Sequence, residues 1–253
     1  MKRYGLVGHP LGHSFSKVFF TEKFERESID ACYKNFDLDN LAALHELLQQ
    51  QPDLIGFNVT IPYKKAILPY LDEVDSIAAE VGAVNTVKVM ADGKLKGYNT
   101  DVVGIEATLA DLANPKGSPT EREVITSGAL ILGTGGASKA VQYVLRKYGL
   151  PYHLVSRSLE RGSWTYDGLT PEIIQEHRLI INATPVGMTP HIDAAPRIPY
   201  EVLTPQHVLF DLIYNPEETL FLKHGREHGA TAFNGLKMLY AQAEASWAIW
   251  NQL

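Results

Sequence analysis

The segment Ala129-Leu130-Ile131-Leu132-Gly133-Thr134-Gly135-Gly136-Ala137-Ser138-Lys139 constrains the fold more than any other stretch of the chain. An apolar run stops at glycines and a helical pattern begins at once, carrying Val141, Val144, Leu145 and Tyr148. A buried parallel strand that turns into a helix has this form. The free N–H groups and dipole at the start of such a helix favour an anion, and glycine lets the anion approach the backbone. Gly133, Gly135, Gly136 and Ala137 are therefore candidates for a dinucleotide pyrophosphate. The pattern is weak on its own, because a glycine turn also serves tight packing.

The flanking sequence supplies the context. Downstream, the strand candidates Tyr152–Val155, Leu179–Asn182, Val208–Leu212 and Thr231–Phe233 are interleaved with helical stretches, one of them from about Glu217 to His228. Strands alternating with helices predict a doubly wound parallel sheet. Upstream lie strand candidates at Tyr4–Val7, Tyr33–Leu38 and Asp53–Val59, the last halted by Pro62, which cannot give a ladder hydrogen bond. Helices are expected with Phe20 and Phe24 on a buried face, over Leu41–Leu48 and over Val74–Glu80. Ala83–Met90 and Lys94–Tyr98 form a hairpin about Asp92-Gly93. From Asp101 a helix should run to about Leu112 through Val102, Ile105 and Leu109, followed by a surface loop, Asn114–Glu123. The last helix, from Gly235, places Leu236, Tyr240, Ala243, Trp247 and Trp250 on a stripe expected to face a core. The expected architecture is α/β with two domains, residues 1–101 plus 235–253 and residues 102–234.

Composition narrows the classes of function. The net charge of −6 argues against a nucleic-acid partner. Cys32 is the single cysteine, so no intrachain disulfide or cysteine zinc cluster is expected. No run is long and apolar enough to span a membrane, and the N-terminus lacks the apolar stretch of a signal peptide, so the expected location is cytoplasmic. The nine histidines show no H-E-x-x-H spacing, and no metal is assigned. There is no G-x-S-x-G, which speaks against an α/β-hydrolase.

Two constellations carry chemistry. Ser156-Arg157-Ser158, with Arg161 behind, stands where a Rossmann unit meets the adenosine ribose. An acid there would bind the 2′-hydroxyl of NAD, whereas arginine and hydroxyls suit the 2′-phosphate of NADP. Lys64 and Asp101 each follow a strand and sit among hydroxyl and amide side chains. Such a pair can deliver the proton that a ketone oxygen takes as hydride reaches its carbon. On spacing alone, a surface lysine and a helix cap account for the pair better.

Taken together, the motifs resemble the shikimate dehydrogenase family over essentially the whole chain. His13-Ser14-Phe15-Ser16 resembles H-S-x-S, and Asn58-Val59-Thr60-Ile61-Pro62-Tyr63-Lys64 resembles N-V-T-x-P-x-K. Gly82-Ala83-Val84-Asn85-Thr86 is similar to G-A-V-N-T, and Gly97-Tyr98-Asn99-Thr100-Asp101 to G-x-N-T-D. The glycine loop resembles G-x-G-G-A-[SA]. Asn182-Ala183-Thr184-Pro185-Val186-Gly187-Met188 resembles N-A-T-P-x-G-M, and Asp211-Leu212-Ile213-Tyr214-Asn215-Pro216 resembles D-x-x-Y-x-P. Gly235-Leu236, Met238-Leu239 and Gln242-Ala243 resemble the closing helix.

The resemblance implies reversible NADPH-dependent reduction of 3-dehydroshikimate to shikimate, on the route to chorismate and the aromatic amino acids. It implies catalytic roles for Lys64 and Asp101. Ser14 and Ser16 would hold the carboxylate, with Thr60, Asn85, Asn99, Tyr214 and Gln242 also on substrate. Cofactor contacts would come from Gly133, Gly135, Gly136, Ala137, Ser156, Arg157, Ser158, Arg161, Thr184, Met188 and Gly235. Residues 1–101 plus 235–253 would bind substrate and residues 102–234 NADP, with the substrate in a cleft between them. The chain would act on a small molecule as a monomer or homodimer. Three departures stand out. Lys17 replaces the proline usual after H-S-x-S, Ser156 replaces an asparagine, and the stretch from Arg157 to Asn182 is shorter than usual. A parallel crossover needs about a dozen residues or more, so the sheet edge beside the adenosine is expected to be trimmed. A quinate/shikimate dehydrogenase using NAD or NADP is the alternative, against which Ser16 and Arg157 speak. A non-catalytic nucleotide-binding relative is the remoter one.

Overall fold

A computed structural model describes residues 1–12, 14–110 and 127–252. His13, Leu112 and the loop expected over Asn114–Glu123 lie outside the described residues. The chain divides into two compact units, Met1–Thr100 with Gln242–Leu253, and Asp101–Ala241.

The first unit is built on β1 (Lys2–Gly8), β2 (Ala31–Asp37), β3 (Leu54–Val59), β4 (Glu73–Val74), β5 (Thr86–Val89) and β6 (Leu95–Tyr98), in the sheet order β2-β1-β3-β5-β6-β4. β2, β1 and β3 run parallel, whereas β5 is antiparallel to both β3 and β6, so this sheet is mixed. Side chains alternate across it. Tyr4 and Leu6 join Phe20, Phe24, Tyr33 and Trp250 in one buried cluster, and Val7, Phe57, Val59 and Val87 join another. Gly56 is fixed by this packing, because a Cβ there would stand 2.4 Å from the Trp250 indole. The indole N–H donates to the Val87 carbonyl at 2.9 Å, which ties the last helix to the sheet.

The second unit carries β7 (Ala129–Leu132), β8 (Tyr152–Ser156), β9 (Trp164–Thr165), β10 (Leu179–Asn182), β11 (Val208–Asp211) and β12 (Thr231–Phe233), all parallel, in the order β12-β11-β10-β7-β8-β9. β7, β10 and β11 are buried along their whole lengths, as strands covered on both faces are. Read from its other edge the order is that of a dinucleotide-binding sheet, with the topological switch between β7 and β10.

Several expectations are corrected. The helix expected over Val74–Glu80 starts at Ser76, because Asp75 accepts the Ile77 N–H as its cap and Val74 pairs in β4. The helix expected from Asp101 does begin there, Asp101–Leu109. In the last helix, Leu236–Asn251, Leu236 and Tyr240 are exposed, and the stripe is buried at Ala243 and Trp250. The helix divides between the units after Ala241, so one stripe does not serve one core. The trimmed edge still has a strand. The connection of residues 157–163 returns only to the level of Leu154, whose carbonyl accepts the Ser163 N–H at 2.8 Å. Because β9 is two residues long, this short return suffices for a parallel pair. Gly162 permits the close pass, since a Cβ there would meet the Leu154 carbonyl at 2.8 Å.

Candidate active site

In the first unit the expected substrate-reading side chains cluster past the C-terminal ends of β1 and β3. Ser14 caps the twelve-residue helix Phe15–Arg26, its Oγ accepting the Lys17 N–H at 3.3 Å. A proline at position 17 would have no N–H to give, so Lys17 completes this cap. As an acceptor there, the Ser14 hydroxyl keeps its own proton for another group. Ser16 lies in the first turn of the same helix. The loop before Ser14 is held by Asp37, which takes the Leu11 N–H at 3.0 Å and His9 Nδ1 at 2.7 Å; those two bonds keep its carboxyl below the usual range. Asp39 also stands 3.1 Å from His9.

Thr60 follows β3, its N–H bonded to the Val7 carbonyl at 2.9 Å. Gly8 makes room for it, since a Cβ at that position would stand 2.4 Å from Thr60 Cγ2. Lys64 lies in the one-turn helix Tyr63–Ala66. Its carbonyl accepts the Val84 N–H at 2.7 Å, and the neighbouring Tyr63 hydroxyl bonds to the Leu38 carbonyl, so the turn is fixed at both sides.

Asn85 is the centre of the amide cluster. Its Oδ1 accepts the Thr100 N–H at 2.7 Å, and its Nδ2 donates to Thr100 Oγ1 and Gln242 Oε1, each at 3.0 Å. Asn85 and Gln242, far apart in sequence, are thus brought side by side. Asn99 is buried, its Nδ2 donating to the Ala83 carbonyl at 2.9 Å. Asp101 follows Thr100 directly and is buried at the start of its helix.

In the second unit the sequence-predicted cofactor residues gather at the switch point. Gly133 adopts φ +100°, and a Cβ there would stand 2.8 Å from Thr184 Cγ2. Glycine is therefore required both for the turn and for the contact between the β7 and β10 loops. Gly135 caps the helix Gly136–Lys147; open space surrounds its missing Cβ, no side chain caps the helix, and no acid stands in its first turn. Those are the conditions under which a helix N-terminus takes a phosphate. Thr184 is fixed by Asn182, whose Oδ1 accepts its hydroxyl at 2.6 Å and its N–H at 3.1 Å. Met188 is exposed beyond Gly187, which adopts φ +93°. Gly235 lies against β11's loop, where a Cβ would come within 2.2 Å of the Leu212 carbonyl. Tyr214 is half-buried, and burial raises its phenol.

Beyond β8 the candidates separate. Arg157, Ser158 and Arg161 are exposed. Ser156 is buried, its Oγ accepting the Ser158 N–H at 3.3 Å, so it shapes the turn that presents Arg157.

Three participants went unassigned in the sequence. Tyr33 was read only as a strand residue. Ser246 sits fully buried among Asn58, Thr86 and Thr100. Asp211, fully buried, accepts Asn182 Nδ2 at 3.1 Å, Thr219 Oγ1 at 2.7 Å and the Ile213 N–H at 3.0 Å. Burial pushes its carboxyl up to about 6 against those bonds. Asp211 was visible inside a motif, but nothing in its spacing announced a buried carboxylate.

Comparison with known proteins agrees with this arrangement. Residues 6–87 match the family described as the shikimate dehydrogenase substrate binding domain. The shikimate dehydrogenase (NADP(+)) of Halothermothrix orenii is 38% identical, over 97% of this chain and 89% of its own. The crystal structure of shikimate 5-dehydrogenase from Thermus thermophilus, in complex with NADP(H) and shikimate, superposes with a TM-score of 0.84 at 32% identity, covering 100% of this chain and 94% of that one. Quinate dehydrogenase from Corynebacterium glutamicum, in complex with NAD, gives 0.83 at 28% identity, covering 100% and 94%. With a relative 38% identical over nearly the whole of both chains, the chain belongs to the shikimate dehydrogenase family.

Proposed function

We propose that this chain is an NADP-dependent shikimate dehydrogenase, interconverting 3-dehydroshikimate and shikimate on the route to chorismate and the aromatic amino acids. The observation that carries the reading is the pairing of Asn85 with Gln242 at 3.0 Å, locked by Thr100. A small polyhydroxylated acid has little apolar surface to bury, so it must be recognised by side-chain amides and hydroxyls held in place beforehand. Its relatives' names and bound ligands point to the same substrate.

In this reading Ser14 and Ser16 donate hydroxyl protons to the substrate carboxylate, and Tyr214 supports that end. Thr60, Asn85, Asn99 and Gln242 read the ring hydroxyls. Lys64 and Asp101 handle the proton at the oxygen of the reacting carbon. NADP, when bound, supplies or takes the hydride. Gly133, Gly135, Gly136 and Ala137 would hold its pyrophosphate, Arg157, Ser158 and Arg161 its 2′-phosphate with Ser156 shaping their turn, and Thr184, Met188 and Gly235 would line its nicotinamide end. The proposal assigns residues 1–101 with 235–253 to substrate and 102–234 to NADP, close to the compact units Met1–Thr100 with Gln242–Leu253 and Asp101–Ala241.

The quinate-using alternative shares the fold, so the fold does not separate the two. Ser16 and Arg157 favour shikimate and NADP. Among the described residues no helix is long and apolar enough to cross a membrane. The proposal includes a cytoplasmic location and a monomer or homodimer, the latter measurable by light scattering. The test is turnover of shikimate and quinate, each with NADP and NAD. Shikimate with NADP should be preferred by a wide margin.

A further inference from the structure

Thr184, Met188 and Gly235, proposed to line the nicotinamide end, stand at three points of the backbone of the second unit. Each point leads back to one buried carboxylate. Asp211 accepts Asn182 Nδ2 at 3.1 Å and the Ile213 N–H at 3.0 Å on Oδ1, and Thr219 Oγ1 at 2.7 Å on Oδ2.

The Asn182 bond fixes Thr184. Asn182 is fully buried, and both ends of its amide are engaged. Its Nδ2 donates to Asp211 and, at 3.4 Å, to the Val186 carbonyl. Its Oδ1 accepts the Thr184 hydroxyl at 2.6 Å and the Thr184 N–H at 3.1 Å. An ionised carboxylate can only accept, so Asp211 takes the amide nitrogen on its side and turns the oxygen to Thr184. The Thr219 bond reaches Met188. Thr219 stands against Gly187, where a Cβ would lie 3.5 Å from Thr219 Cβ, and Met188 follows directly. The Ile213 bond reaches Gly235, because the Ile213 carbonyl accepts the Gly235 N–H at 2.9 Å. The glycine turn has a separate anchor, the Gly133 N–H donating to the Val155 carbonyl at 2.8 Å.

We infer that Asp211 is a positioning residue for the cofactor, its hydrogen bonds to Asn182, Thr219 and Ile213 setting Thr184, Met188 and Gly235 in the relative placement that receives a nicotinamide. The inference rests on the NADP reading of the second unit. Asp211, Asn182, Thr219 and Ile213 are all buried, so an arriving cofactor competes for none of these bonds. The supporting groups stay as they are, and the lining residues are held in place beforehand.

The test is Asp211→Ala, which removes all three bonds, with NADPH and 2′,5′-ADP as probes. The second probe carries the adenosine 2′-phosphate and no nicotinamide. By titration calorimetry NADPH should bind about tenfold more weakly, the range of one hydrogen bond to a charged group. Binding of 2′,5′-ADP should stay within about twofold of wild type. Asp211→Asn keeps an oxygen for Asn182 and Ile213 and offers Thr219 Oγ1 an N–H, so its NADPH affinity should return to within about threefold of wild type. Unchanged NADPH affinity in Asp211→Ala overturns the inference. So does an equal loss of both probes, which a general loosening of the unit would give, and so does a loss in Asp211→Asn as large as in Asp211→Ala. Should Asp211→Ala fail to fold, hydrogen exchange in the wild-type protein decides. NADPH should slow exchange of the Thr184, Ile213 and Gly235 N–H groups together, and 2′,5′-ADP should not. Exchange at Ile213 and Gly235 that NADPH leaves unmoved overturns the inference. If the wild-type protein binds neither probe, the NADP reading fails and this inference falls with it.

Discussion

Replacing Asp211 by asparagine removes a titration that the fold makes unfavourable. Asp211 is fully buried at the end of β11, and its carboxyl is raised from 3.8 to about 6, chiefly by loss of water, with Thr219, Ile213 and Asn182 pulling the other way. In the unfolded chain it would titrate near its ordinary value. Between the two values the folded state binds more protons, so stability falls as pH rises from about 4 to about 6 and is flat above. The full displacement corresponds to about 3 kcal/mol of disfavoured charge. Moving from pH 7.5 to pH 5 should therefore stabilise the wild-type protein by about 1 kcal/mol relative to Asp211→Asn. His153 and His207, held low by burial, act oppositely, losing stability as pH falls, but both are present in each protein and cancel in the difference. Urea denaturation of the two proteins at the two pH values measures it. A difference in stability that does not change with pH, or that moves in favour of Asp211→Asn on acidification, refutes the reasoning.

Two further outcomes follow from the proposed roles. Lys64→Ala should lower kcat by about 10²- to 10⁴-fold with a much smaller rise in KM, since its role belongs to the transition state; steady-state kinetics with an unchanged kcat would remove it from proton handling. Arg157→Ala should weaken NADPH by about 10- to 100-fold and NADH little, as loss of a charge-assisted bond to a phosphate predicts; equal losses for both cofactors would sink the 2′-phosphate assignment.

The parts legible in the sequence were those where local chemistry dictates geometry. The step from Leu132 to Gly133 announces a strand ending in a turn, and the structure places Gly133 at φ +100° against Thr184. Asp92-Gly93 announces the hairpin joining β5 and β6. Short elements stayed hidden. β4 and β9 are two residues each, too brief for any periodicity, and β9 exists because Gly162 lets the chain double back beside Leu154. Hydrogen-bond hubs were also invisible, because their partners are distant along the chain. Tyr33 reads as an ordinary strand aromatic until β2 and β3 set its hydroxyl beside Asn58. Ser246 reads as a small helix residue until the last helix packs it against Thr86. The stripe through Leu236 and Tyr240 misled because one helix is shared by two units.

The most direct test of the account is reduction of NADP by shikimate, followed at the nicotinamide absorbance with purified protein. The account predicts shikimate-dependent reduction that is much slower with NAD or with quinate and is lost in Lys64→Ala. No reduction with shikimate and NADP, or equal rates with quinate and NAD, would contradict it.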